Sequence, residues 1–172
     1  ASFPDAVCAH QFTYTAWLDK ADAIIDFCKL KSHGMMGMSN AAKNLFGVIP
    51  GTMKPEYHYK YPDAGDFSNM LIDLNEYFKP RLCICDAVVC MEGNGPTQGT
   101  PVHLGAIAAA YSSHKLDLLC ADLIGLTAKD VPTLAAALAR GLIPPTAAEL
   151  SRMAWRISPQ SSGSSARSRA LT

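Results

Sequence analysis

Two apolar runs too short to be helices flank one long amphipathic segment, and this order constrains the fold more than any other feature of the chain. The first run, Ala23-Ile24-Ile25-Asp26-Phe27-Cys28, ends at Lys29, and the second extends from Leu82 to Val89. Runs of this length and character read as buried strands. Between them, Phe67, Met70, Leu71, Leu74 and Phe78 recur at spacings of three and four. That is one face of a helix beginning at Asp66, with Pro80 stopping it. Leu104 to Tyr111 reads as a third strand after a Gly- and Pro-containing loop from Met91 to His103. Ser39 is placed to cap a short helix through Phe46, and Val48 to Gly65 reads as an irregular excursion. Later helices are expected around Leu116–Leu123 and after Asp130, and Thr146 with Glu149 has capping-box spacing. Strands alternating with helices predict an α/β domain, with a mainly parallel sheet and helices on both faces. It is expected to occupy residues 1–157 as a single domain. Residues 158–172 are Ser-rich with arginines, bury too little to order themselves, and are expected to form a disordered tail.

Composition narrows the functional classes. Fifteen basic and fifteen acidic residues cancel, so the net charge supplies no footprint for nucleic acid or a membrane surface. No apolar run approaches the roughly 18 residues of a membrane span, and Ala1 to His10 does not read as a signal peptide. A cytoplasmic location is therefore expected. Six cysteines, mostly in apolar runs, then read as reduced, buried thiols. The chain lacks an initiator methionine and is expected to be a processed or excised piece.

Two constellations could carry chemistry. The first is Lys29-Leu30-Lys31-Ser32-His33-Gly34 with Ser39, Lys43 and Asn44. Two lysines at i and i+2 share a strand face, glycines permit close backbone approach, and a following helix would offer free N–H groups. Together they suit a phosphate or a carboxylate; solvated lysines on a structural loop explain the pattern equally well. The second is Asp86, followed by Met91-Glu92-Gly93-Asn94-Gly95-Pro96. A carboxylate inside an apolar strand must be paired, protonated or metal-bound, while the Asn94 turn could be purely structural. His33 and His58 are the best-placed histidines for proton transfer or a divalent metal. Asp73 and Asn75 either face the same cleft or lie on a solvated helix face. Lys31, His33, Asp86 and Glu92 are the candidate catalytic residues; Lys29, Lys43, Asn44, His58 and Asn94 are the candidate ligand-binding residues. On an α/β sheet such a cleft belongs beyond the strands' carboxyl ends.

No dinucleotide fingerprint, phosphate loop or nucleophile elbow occurs. Cys83, Cys85 and Cys90 do not have ferredoxin spacing, so no motif in the chain encodes a cofactor.

The string from Lys29 to Gly34, continuing to Lys43-Asn44-Leu45-Phe46-Gly47, resembles a signature of the family catalogued as domain of unknown function 362. So does Met91-Glu92-Gly93-Asn94-Gly95-Pro96 with Gly99 and Pro101, supported by Tyr57-His58, Asp73-Leu74-Asn75, Lys79-Pro80, Asp86 and Asp117. The resemblance covers about residues 20–142. It implies an α/β domain associated with iron–sulfur proteins, because many members carry a ferredoxin-like module. A 4Fe-4S cluster enters by that association alone.

Three functions follow as expectations. One is a redox-linked enzyme domain holding an anionic substrate, with a ferredoxin-like module or protein as electron source. Another is a non-catalytic anion- or metal-binding module. The last is a scaffold for a ferredoxin-like partner. The first two require both constellations to meet in one cleft.

Overall fold

A computed structural model describes residues 1–153 of the chain, with side chains described up to Leu150. The domain boundary at residue 157 and the tail expected over 158–172 lie outside the described residues. One four-stranded sheet organises the fold, built from β1 (Ile25–His33), β2 (Gly37–Ser39), β3 (Leu82–Glu92) and β4 (Thr100–Ala110) in the order β2-β1-β3-β4. Six helices accompany it among the described residues: α1 (Ala41–Asn44), α2 (Lys54–Lys60), α3 (Ala64–Phe78), α4 (Ser113–Leu123), α5 (Pro132–Ala139) and α6 (Ala147–Met153).

The sheet is mixed, which corrects the mainly parallel expectation. Only β1 and β3 run parallel; β1–β2 and β3–β4 are antiparallel. Loop length is the physical reason. Parallel strands need a crossover of about a dozen residues or more. Residues 93–99 join β3 to β4, and residues 34–36 join β1 to β2. Both connections permit only hairpins, whereas α1, α2 and α3 lie within the long β1–β3 crossover. Both ends of the Met91–His103 segment read as a loop are strand, leaving residues 93–99 as the connection, and β2 replaces the start of the helix expected at Ser39.

Side-chain alternation divides the sheet. Cys28, Leu30, Cys83, Cys85 and Ala87 point to one face and pack with Ala41, Leu116, Cys120, Val131 and Leu134. Helices therefore cover this face. On the other, Ile25, Phe27 and Ile107 are 63%, 66% and 72% exposed. That face is open among the described residues, where helices had been expected on both. All six cysteines are unbridged, and five of them are buried. No described helix is long and apolar enough to cross a membrane.

A second apolar cluster forms around α3. Phe67, Met70, Leu71 and Leu74 pack against Ala9, Phe12, Met36, Phe46, Ile49, Tyr57 and Tyr61. Asp63, not Asp66, caps α3: its carboxylate accepts from the Gly65 and Asp66 amides at 2.8 and 2.9 Å. Lys79 ends the helix in the left-handed region at φ 43°. α3 thereby holds the N-terminal segment and the Phe46 turn in place beside β1.

Candidate functional site

A hollow of about 320 Å³ lies beside the carboxyl half of β1 and draws on five parts of the chain. β1 contributes Lys29, Lys31 and His33, and Ser39 comes from β2. α1 and the turn after it add Lys43, Asn44 and Phe46; α2 adds Lys54 and His58; the β3–β4 loop adds Pro96. β2 pairs only with Lys31, Ser32 and His33, leaving the earlier part of that strand edge open to the hollow.

Local structure sets each group. Of the second constellation only Pro96 reaches the hollow, because Gly95 lies directly on Ser32: a Cβ at Gly95 would overlap the Ser32 carbonyl oxygen. The Gly34 amide also donates to the Gly95 carbonyl at 3.4 Å. Only glycine allows this approach, and it brings Pro96 to the rim. Glu92 and Asn94 do not line the hollow. Glu92 is exposed at the end of β3, and the Asn94 side-chain amide faces Gln98 Oε1 at 3.4 Å.

Asp86 lies opposite Lys29 in the parallel register. Lys29 donates to Asp86 Oδ2 at 2.6 Å and to the Val89 carbonyl at 3.1 Å. The Lys29 ammonium, with help from the Val88 amide, holds the Asp86 carboxyl below its usual range. Pairing thus accounts for the carboxylate in the apolar strand, and it leaves Lys29 neutralised. Asn44 is also engaged: its Nδ2 donates to Asp26 Oδ1 at 2.6 Å and to the Phe27 carbonyl at 3.3 Å.

Lys31, Lys43 and Lys54 differ from Lys29. None of the three has a carboxylate within 4 Å among the described residues. The Lys43 Nζ lies 4.8 Å from the Phe46 ring centre and 5.5 Å from that of Phe67, and the Lys54 Nζ lies 5.7 Å from Phe46. Burial, reinforced by repulsion from Lys54 and Lys31, pulls the Lys43 ammonium down to about 8.

The histidines are held neutral. The backbone amides of Met35 and Met36 donate to His33 Nδ1 at 3.2 and 3.3 Å. An amide can only donate, so Nδ1 accepts and Nε2 carries the proton. Burial, then Lys43, His58 and Lys31, lowers the His33 pKa from its ordinary value. His58 stacks on Phe67 with centroids 4.5 Å apart, and burial followed by Lys43 lowers it too.

One expected donor is absent. The α1 N-terminus was expected to present free amides, but Asp117 on α4 takes them. Its Oδ1 and Oδ2 accept from Ala41 and Ala42 at 2.8 and 3.2 Å, and the residue is buried. An anion in the hollow therefore gains no bond from the Ala41 and Ala42 amides. Asp73 and Asn75 are buried structural ties rather than cleft residues or a solvated face. Asn75 Nδ2 donates to the Ala42 and Leu71 carbonyls at 2.9 and 2.8 Å.

Lys54 lies in the 48–65 stretch whose Pro, Gly and Tyr content predicts an irregular excursion, whereas the structure forms α2 there. Its signal was legible: Lys54 and His58 are four apart, one turn of a helix, and α2 puts both on the hollow. Among the described residues, no three or more His, Cys, Asp or Glu side chains are grouped to hold a metal ion. What the arrangement can do is concentrate positive charge and present the neutral N–H of His33 beside aromatic surface.

Comparison with known proteins adds the following. The model of the family described as Domain of unknown function (DUF362) matches residues 2–122. A relative described as thylakoid-associated protein sll1697, from Synechocystis sp., is 41% identical over 131 residues. The match covers 76% of this chain and 40% of that protein, so the chain spans well under half of the relative's length. No solved structure matches the chain.

Proposed function

Since this chain belongs to the DUF362 family, whose description assigns no activity, we propose its function from the site itself: the hollow binds a small anion, a carboxylate or a phosphate. The observation that carries this reading is the convergence of Lys31, Lys43 and Lys54 on one hollow with no carboxylate partner among the described residues. Like charges gathered on partly apolar surface repel and lose hydration. An anion relieves both penalties through charge-assisted hydrogen bonds. His33 would add a neutral N–H donor, and Phe46 would bound the site with apolar surface. A redox-linked enzyme with an iron–sulfur partner, and a cytoplasmic location, remain parts of this reading that rest on the family association and the sequence. The relative's association with thylakoids belongs to that protein.

Titration with inorganic phosphate, followed by calorimetry and thermal shift, tests the reading. Lys31→Ala and Lys54→Ala are each expected to weaken phosphate binding about tenfold, the size of one charged hydrogen bond, without lowering the melting temperature. Wild-type affinity in both variants, or no phosphate binding by the parent, would overturn it.

The pH profile is a second expected result. His33 and His58 are neutral at pH 7, because their folded pKa values lie below the ordinary 6.5. As pH falls through that lowered range both gain charge, so phosphate binding strengthens. As pH rises through about 8, Lys43 loses its charge and binding weakens. A profile flat between pH 5 and 9 would contradict the assignment of these three groups.

A further inference from the structure

Three features define the setting of Lys43, the last of them common to Lys31 and Lys54. Its Nζ lies over two aromatic rings, Phe46 at 4.8 Å and Phe67 at 5.5 Å. It shares the Phe46 ring with Lys54, whose Nζ is 5.7 Å from the same centre. It has no carboxylate partner among the described residues. Lys31, Lys54, His33 and His58 face it from β1 and α2, all of them cationic or neutral. The ring faces favour the ammonium, but burial in the hollow and the neighbouring Lys54 and Lys31, with no carboxylate to offset them, favour loss of its proton, and an amine without its proton is a nucleophile.

We propose that Lys43 captures a small carbonyl-bearing anion as an imine, with Lys31 and Lys54 holding the anion's charge. This rests on the anion-binding reading above and adds a covalent step to it. The lone pair of the neutral amine attacks the carbonyl carbon, forming a C–N bond and opening the C=O π bond. A proton moves from nitrogen to oxygen to give a carbinolamine. The nitrogen lone pair then expels that oxygen as water, leaving C=N. One water is released and nothing is oxidised or reduced. The Nε2–H of His33, which lines the same hollow, would hydrogen-bond the carbonyl oxygen as charge builds on it. The substrate class is a short 2-oxo acid or a phosphorylated aldehyde, since both place an anionic group close to a carbonyl.

Lys43 titrating near 8 holds about two orders of magnitude more free amine at pH 7.5 than a lysine at the reference value near 10.4. The lower basicity of the amine takes back part of that gain.

The test uses glyoxylate and, separately, pyridoxal 5′-phosphate with the full chain at pH 7.5. Cyanoborohydride fixes any imine as a secondary amine, and peptide mass mapping locates it. Labelling at Lys43 is expected to exceed that at the exposed lysines Lys115 and Lys129 by about tenfold. Inorganic phosphate should suppress it. Lys43→Arg should abolish the adduct at this position and leave labelling at Lys115 and Lys129 unchanged. If phosphate binds but Lys43 is labelled no faster than Lys115, the imine is wrong and the anion site stands. If phosphate neither binds nor protects Lys43, both readings fall. Preference for one probe over the other assigns the oxo-acid or the phosphate source.

Discussion

Replacing Asp73 with alanine is expected to destabilise the fold by about 3–5 kcal/mol, the usual result of breaking a buried charge pair from one side. Asp73 is fully buried on α3. It accepts from the amides of Val7, Cys8 and Ala9 at 3.0, 2.7 and 2.8 Å, and it pairs with Arg140 Nη1 at 2.9 Å. Alanine would strand three backbone donors and a guanidinium that is only 17% exposed. In a domain of this size the melting temperature should fall by roughly 10 °C or more. The loss should begin locally, because these bonds hold the N-terminal segment whose Ala9 and Phe12 complete the cluster around α3. Hydrogen exchange should therefore accelerate first at Val7, Cys8 and Ala9. Adding Arg140→Leu should recover part of the loss, since it removes the stranded charge. A destabilisation under about 1 kcal/mol, within the range of ordinary surface substitutions, would show that the N-terminal segment is not held this way.

The substitution Lys43→Met should act in the opposite direction on stability and remove function. Methionine keeps the apolar stem against Phe46 and Phe67 and deletes a desolvated, repelled charge. At pH 7 the gain should be about 1–2 kcal/mol, after allowance for solvent screening of a partly exposed group. Phosphate affinity should fall about tenfold in the same variant. The sign follows from linkage. The folded pKa near 8 lies below the unfolded value of 10.5, so between them the unfolded chain binds more protons. Wild-type stability therefore rises with pH across that window, and the methionine variant lacks this rise. The stability difference between the two should be largest below pH 8 and shrink toward pH 10.5. A variant less stable than wild type at pH 7 would mean that the ring contacts of the ammonium outweigh its desolvation.

Much of this architecture could be read from the chain. The β1 and β3 runs, the α3 stripe from Phe67 to Phe78 and the α4 positions around Leu116 and Cys120 were visible as periodicities. Alternation of element types points to parallel strands, but the short connections at 34–36 and 93–99 permit only antiparallel pairs. The open face was missed because short apolar runs do not reveal how many of their sides are covered: Ile25 and Phe27 lie in the same run as Cys28 yet point to solvent. At the site, Lys29, Lys31, His33, Lys43, Asn44 and His58 line one hollow, while Asp86, Glu92 and Asn94 do not. Their individual states were not legible. Only the three-dimensional register pairs Lys29 with Asp86, and only packing places Lys43 on two rings. Asp73 read as an ordinary polar position on a helix because its partners lie about 65 residues away in sequence.

The carboxylate of Asp117 has a last consequence, for how such a pocket can diversify. By occupying the amides of Ala41 and Ala42, it removes the first amides of α1 from contact with any guest. Recognition then leans on replaceable side chains, while these scaffold bonds close on themselves. Selectivity can drift from one guest to another by exchanging a lysine or a histidine, and the architecture beneath need not move.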